Sequence, residues 1–226
     1  YWGTVFMFPG AGFIGSGHND NNETEKVIDV KMYIDDKYLA PGDVGKEKPV
    51  ICSNNFKMEK TARVRNIRFK YTLEIKNNKI FENCQLTTGK DTNIKLMCNF
   101  MHPWAEEMTD YYILTAKNKS RQGTFKTDNK FPYQGKFIWA ALYNRHNQTG
   151  VVSKLTAGNN AIIFLWDRKQ YKKTYLCSFL KKTFKISDKP SYSMATAFFQ
   201  SSAKNWQEAA VEKAGSFDID KVREAS

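Results

Sequence analysis

The stretch NIRFKYTLEIK, residues 66–76, sets Ile67, Phe69, Tyr71, Leu73 and Ile75 against Arg68, Lys70, Thr72, Glu74 and Lys76. Side chains that change character with a period of two belong to a β-strand with one face buried and the other in water. The Asn77-Asn78 pair then turns into KIFENCQL, and TTGKD (87–91) turns into TNIKLMCNFM, which predicts a three-strand meander. EKVIDVKMYIDD (25–36) alternates in the same way. KFIWAALY (136–143) and AIIFLW (161–166) are apolar on both faces, so each predicts a strand covered on two sides. DRKQYKKTYLCSFLKKTFKI (167–186) and PSYSMATAFFQ (190–200) supply further strands.

Helical periodicity is confined to the end of the chain. In SSAKNWQEAAVEKAG, Ser202 reads as an N-cap and Gly215 as the C′ residue, with Trp206, Ala210 and Ala214 forming a stripe that docks on a sheet. Residues 216–226 predict a second short helix capped by Ser216 or Asp218. The expected fold is therefore all-β and mainly antiparallel. Its stacked sheets form a β-sandwich or supersandwich, as a single domain over residues 1–226 with a helical appendage at about 202–226.

Charge narrows the partners. Lys and Arg number 35 against 23 acids, a net +12, which favours polyanions: acidic or sulfated glycans, nucleic acid, or anionic lipid. Residues 168–189 concentrate eight basic side chains: Arg168, Lys169, Lys172, Lys173, Lys181, Lys182, Lys185 and Lys189. Tyr171, Tyr175 and Phe179 interleave with them as nucleic-acid stacking groups would, but one face of a strand accounts for the same spacing, so nucleic acid ranks behind glycan. The longest apolar run, AIIFLW, is far short of the roughly 18 residues of a membrane span. The opening YWGTVFMFPG does not read as a signal peptide. Cys52, Cys84, Cys98 and Cys177 show neither CxxC nor zinc spacing and are expected to be buried thiols, Cys98 on an apolar face with Ile94, Leu96 and Phe100, Cys84 beside Ile80 and Leu86. No P-loop, GxSxG, HExxH or EF-hand loop occurs, and GAGFIGSG (10–17) lies outside any βαβ unit, so no cofactor or metal is expected.

Site chemistry concentrates in FMHPWAEEMTDYY, residues 100–112. The preceding strand is expected to end at His102, where Pro103 removes a ladder donor, leaving His102, Trp104, Glu106, Glu107 and Asp110 on a loop over a sheet. A histidine beside carboxylates serves as acid or base near neutral pH, and a tryptophan offers a flat surface to a sugar ring. The alternative is a structural corner that caps the core, with both glutamates facing water. His18, between the glycines and the Asn/Asp run of GSGHNDNN, is the second candidate histidine; His146 reads as an exposed loop. Trp139 is a second stacking candidate, and Tyr143 and Arg145 follow the same apolar strand toward a cleft.

The order of strands, the FMHPW corner, YQGKFIWAALYN and LWDRKQYKKTYLCSFLKKTF followed by YSMATAFFQ and a helix together resemble the β-supersandwich domains of the galactose-mutarotase-like group. That resemblance implies a carbohydrate groove on a concave sheet, in an extracellular or periplasmic domain. It also implies either a polysaccharide lyase or other glycan-processing enzyme, or a part of one without catalysis. His102 and His18 then correspond to groove histidines and Glu106 or Glu107 to a base. A structural subunit of a cell-surface assembly, self-associating and without catalysis, is the competing reading. Residues 185–225 also resemble the closing segment of periplasmic amide- or urea-type substrate-binding proteins. Those are α/β throughout, a pattern that residues 1–184 lack.

Overall fold

The computed structural model describes residues 3–40, 53–158, 161–178 and 183–224, with side chains described as far as Phe217 in the closing helix. Cys52, Phe179, Lys181, Lys182 and the side chain of Asp218 lie outside the described residues. In chain order the strands are β1 (Val5–Met7), β2 (Phe13–Gly15), β3 (His18–Asn19), β4 (Lys26–Ile34), β5 (Lys37–Leu39), β6 (Asn55–Val64), β7 (Ile67–Lys76), β8 (Lys79–Thr88), β9 (Thr92–Asn93) and β10 (Leu96–Trp104). They continue as β11 (Asp110–Thr115), β12 (Ser120–Thr124), β13 (Tyr133–Gly135), β14 (Phe137–Asn144), β15 (Thr149–Ala157), β16 (Ile162–Asp167), β17 (Lys172–Ser178), β18 (Thr183–Phe184) and β19 (Ser191–Gln200), and helix α1 (Trp206–Glu224) follows.

A seven-stranded sheet, ordered β13-β16-β17-β10-β1-β2-β3, faces a ten-stranded sheet, ordered β12-β11-β14-β15-β19-β8-β7-β6-β4-β5. Every pairing among the described residues is antiparallel. Between the sheets lies one apolar layer. Phe6, Met97, Phe100, Leu165 and Leu176 of the smaller sheet meet Ile67, Phe69, Leu86, Leu142 and Tyr192 of the larger. This is the all-β sandwich that the alternation implies.

The β7 strand covers all of Ile67–Lys76, and its odd-numbered residues turn inward up to Leu73. Asn77 and Asn78 both take positive φ, 51° and 58°, as a two-residue hairpin matched to strand twist requires. The meander then departs from expectation. It comprises β6, β7 and β8, because β19 occupies the far edge of β8, with Tyr192 opposite Cys84. Residues 96–104 cross instead to the other sheet, between β1 and β17.

The two strands read as apolar on both faces also part company. On β14, Ala140 and Leu142 face the sandwich while Trp139, Ala141 and Tyr143 lie beneath α1. On β16, Ile162, Phe164 and Trp166 stay partly exposed, packed against side chains of their own surface. Phe164 stacks on Tyr175 at 5.2 Å, Trp166 stacks on Phe131 at 5.3 Å, and the Arg168 guanidinium lies 4.6 Å over the indole.

The helix differs as well. It starts at Trp206, one turn beyond Ser202, and runs through Gly215 as a single helix. Phe217 continues the Trp206–Ala210–Ala214 stripe and is buried with it against Trp139, Tyr143 and Ala197. Burying a phenylalanine contributes about 1.5–3 kcal/mol, which outweighs the roughly 1 kcal/mol cost of a helical glycine. The described part of the segment 185–225, up to residue 224, thus forms a central strand and a docked helix of an antiparallel sandwich, with no α/β unit among the described residues.

Candidate functional site

The position of the site is set by a β-bulge in β10. Met97 faces the sandwich interior and Cys98 the outer surface, so strict alternation would send His102 and Trp104 outward. The register against β17 shifts between Asn99 and His102, and Phe100 takes a φ of 48°, rare for a bulky residue. The extra residue exchanges the faces: Phe100 now packs in the inner core, Met101 on the outer face, and His102 and Trp104 turn inward. Cys98 and Phe100, expected on one face, are therefore on opposite ones. The strand also does not end at His102. It continues to Trp104, pairing Pro103 with Lys173. Because β1 reaches only as far as Cys98, β10 has β17 as its one described neighbour there, and a residue without an N–H is tolerated.

Turned inward, His102 meets the opposite sheet. Its Nε2 lies 2.7 Å from Oε2 of Glu82 on β8, and both side chains are sealed from solvent, at 1% and 0% exposure. The other Glu82 oxygen accepts the Tyr71 phenol. Burial and the Glu82 carboxylate push the Tyr71 hydroxyl well above its ordinary range, so it remains a donor. Lys60 lies over the Phe69 and Tyr71 rings, at 5.8 and 6.0 Å, and pairs with Glu25 at 2.8 Å. Glu25, Lys60, Tyr71, Glu82 and His102 form a polar seam between the sheets.

Trp104 closes one end of that seam. Its ring meets His102 edge-on at 5.3 Å, and its Nε1 donates to Thr174 Oγ1 at 2.8 Å, which fixes the indole. Another contact is Phe198 of β19, edge-on at 6.1 Å and 53% exposed although it points to the sandwich side of its sheet. The half-exposed Trp104 and the exposed Phe198 thus form an apolar mouth between the sheets, with Glu106 and Glu107 solvent-exposed in the turn that follows. A carboxylate holding an imidazole can store or relay a proton, and the fixed indole can pack on a flat apolar face of a ligand.

The remaining sequence candidates are dispersed. His18 lies on β3, beyond β1 and β2 from β10, with its ring 5.8 Å from Phe13, so the two groove histidines are not brought together. Asp110 is buried at the head of β11 and takes Arg145 Nε and Nη2 at 2.5 Å each, with hydroxyls from Thr109 and Thr124. Burial raises the Asp110 carboxyl, but these bonds outweigh it and hold it below its usual range. Tyr143 stacks on Trp206 at 5.1 Å and gives its hydroxyl to the Ser201 carbonyl. With Trp139 beside it under the helix, neither ring is presented to a ligand. His146 is exposed at a hairpin tip.

The basic strip is interrupted. Lys172 points inward, fully buried, and gives its ammonium to Asp167 Oδ1 at 2.7 Å, the Arg168 carbonyl at 3.0 Å and Thr127 Oγ1 at 3.3 Å. Asp167 Oδ2 in turn accepts the backbone N–H groups of Lys126 and Thr127. Glu82, Phe198 and Thr174 escaped the sequence reading. A lone acid on the apolar face of KIFENCQL was the available signal for Glu82. Among the described residues no cluster of three or more His, Cys, Asp or Glu side chains is placed to hold a metal, and no helix is long and apolar enough to cross a membrane.

No family model and no curated protein sequence matches the chain. Solved structures do. The galactosidase domain of an alpha-galactosidase–sucrose kinase superposes with a TM-score of 0.56 at 6% identity, over 89% of this chain and 30% of that one. The GH36 alpha-galactosidase AgaB from Geobacillus stearothermophilus gives 0.52 at 6% identity, over 88% and 30%. The alpha-galactosidase from Lactobacillus brevis gives 0.54 at 5% identity, over 88% and 29%. The chain spans about 30% of the length of these structures. At this identity the likeness is one of fold alone, and it bears out the β-sandwich architecture that the resemblance to the galactose-mutarotase-like group implied.

Proposed function

We propose that this chain is a carbohydrate-recognising module that binds a glycan at the mouth formed by Trp104 and Phe198. The observation that carries the reading is an indole fixed by Thr174 and His102 and facing a phenylalanine left exposed on the inner side of its sheet. An apolar pair held in place at the edge of a polar seam suits a sugar, which has one apolar face and a rim of hydroxyls. Glu106 and Glu107 form the polar rim in this proposal and accept sugar hydroxyls, so the anionic groups of an acidic polymer would have to lie away from that rim, against basic side chains. The buried His102–Glu82 pair positions Trp104 from behind; if the site is catalytic, His102 is the group that exchanges a proton, after Trp104 moves. The +12 charge favours an acidic glycan, and an extracellular or periplasmic setting, where such a glycan would be met, belongs to the same proposal.

The test is a screen of uronic-acid and sulfated polymers at low and high salt, followed by Phe198→Ala and Trp104→Ala. Phe198→Ala should keep the melting midpoint and weaken binding at least tenfold. Absence of binding across the screen, or unchanged affinity in Phe198→Ala, overturns the proposal. A second reading, an assembly subunit, draws on the exposed Val27, Ile28 and Val30 of β4, and predicts a discrete oligomer by size-exclusion chromatography.

A further inference from the structure

Cys98 on β10 and Cys177 on β17 stand directly opposite each other in the antiparallel ladder, and their Sγ atoms are 3.0 Å apart. That is closer than two unbonded sulfurs pack. Both side chains lie on the outer face of the seven-stranded sheet, in one buried cluster with Val5 and Met101. Direct cross-strand partners already have Cα and Cβ separations within the range a disulfide spans, so closing the bond asks for no movement of the backbone. Cys84 has no such partner among the described residues. It is buried on the inner face of β8 beside the Thr4 hydroxyl, and burial pushes its thiol up to about 12.

We propose that Cys98 and Cys177 form a cross-strand disulfide when the protein folds in contact with a low-molecular-weight disulfide such as oxidised glutathione. A cysteine thiolate attacks one sulfur of the glutathione disulfide, giving a mixed disulfide and one glutathione thiolate. The second cysteine thiolate displaces the remaining glutathione, leaving the Cys98–Cys177 bond. Two electrons pass to glutathione disulfide, the protein gives up two protons, and two glutathione molecules leave. In the folded protein burial and the neighbouring Cys98 push the Cys177 thiol well above its ordinary value, and both side chains are buried in one cluster, so exchange belongs to the period before the two strands pack.

The bond would fasten the strand carrying His102 and Trp104 to the strand carrying Thr174, on the N-terminal side of the bulge that aims them. It is independent of what the mouth binds.

The experiment is refolding of the full chain, reduced and denatured, in a glutathione redox buffer and separately in excess dithiothreitol, followed by alkylation under denaturing conditions and peptide mapping by mass spectrometry. The glutathione-refolded protein should lose two of its four thiols, and the map should join the Cys98 and Cys177 peptides. Its melting midpoint should exceed that of the dithiothreitol sample by on the order of 10 °C, the consequence of closing a long loop. Cys98→Ser and Cys177→Ser should each abolish that difference. Four alkylated thiols after oxidative refolding, or a map joining Cys84 or Cys52 instead, overturns the proposal even if neither serine variant folds.

Discussion

His102 and Glu82 touch across the sandwich, 2.7 Å apart, one from each sheet, and that contact depends on a single extra residue in β10. Breaking a buried pair by removing one partner leaves the other uncompensated, a loss of about 3–5 kcal/mol. Glu82→Ala and His102→Ala should each lower the unfolding free energy from urea denaturation by that amount, whereas the double variant should cost much less than their sum. Additive losses in this double-mutant cycle would show that the two side chains act separately. A loop location for His102 would have predicted a harmless substitution.

Lys172 and Asp167 give a second buried-pair prediction. Three acceptors surround the ammonium, and two backbone N–H groups of the 126–127 segment depend on the same carboxylate. Lys172→Ala should cost about 3–5 kcal/mol in chemical denaturation. Limited proteolysis should show earlier cleavage near residues 126–130 than in the parent.

Acid should weaken the fold through carboxylates such as Asp110 and Glu23. The Arg145, Thr109 and Thr124 bonds hold Asp110 below its ordinary value against the opposing effect of burial. The Arg65 and Asn21 bonds take Glu23 down to about 2. Groups with depressed folded values stabilise fully above their unfolded values, near 4, and lose that contribution as pH falls through the folded ones. The contribution of these carboxylates should therefore be constant above about pH 5 and fall progressively from about pH 4 toward pH 2. Asp110→Asn should reduce the slope in that window, measured by urea denaturation at each pH.

Helix docking rests on Trp206, buried and stacked on Tyr143 at 5.1 Å. Trp206→Ala should cost about 3–5 kcal/mol, while Val211→Ala, at an exposed position of the same helix, should stay within about 0.5 kcal/mol. Equal effects in thermal melts would place the helix off the sheet.

Strand character was readable wherever one face is wet: Ile67–Lys76 shows its alternation in plain residues, and Asn77-Asn78 names its turn. The sheet to which a strand belongs was not readable, because Leu96–Trp104 offers the same apolar pattern to either layer and only the competition of β19 for the edge of β8 decides. The site was half legible. His102 and Trp104 stand out by residue type, but their inward direction comes from a bulge with no glycine to mark it. Their partners Glu82, Thr174 and Phe198 are distant in sequence and look like ordinary strand residues. Trp139 and Tyr143 looked available because nothing in KFIWAALY indicates which face a helix some sixty residues later will cover.

The location of β19 has a consequence for the order of assembly. This strand lies between β15 and β8, so the larger sheet consists of two blocks, β4–β8 and the set β11, β12, β14 and β15, that share no backbone pairing among the described residues until residues 191–200 arrive. During synthesis both blocks must wait with open edges, the state most inclined to pair with a neighbouring chain. Completion by so late and so distant a segment makes folding slow for a chain of this size. A chain stopped before Ser191 should accumulate as two unjoined half-sheets and aggregate, although every residue of the His102–Glu82 contact would already have been made.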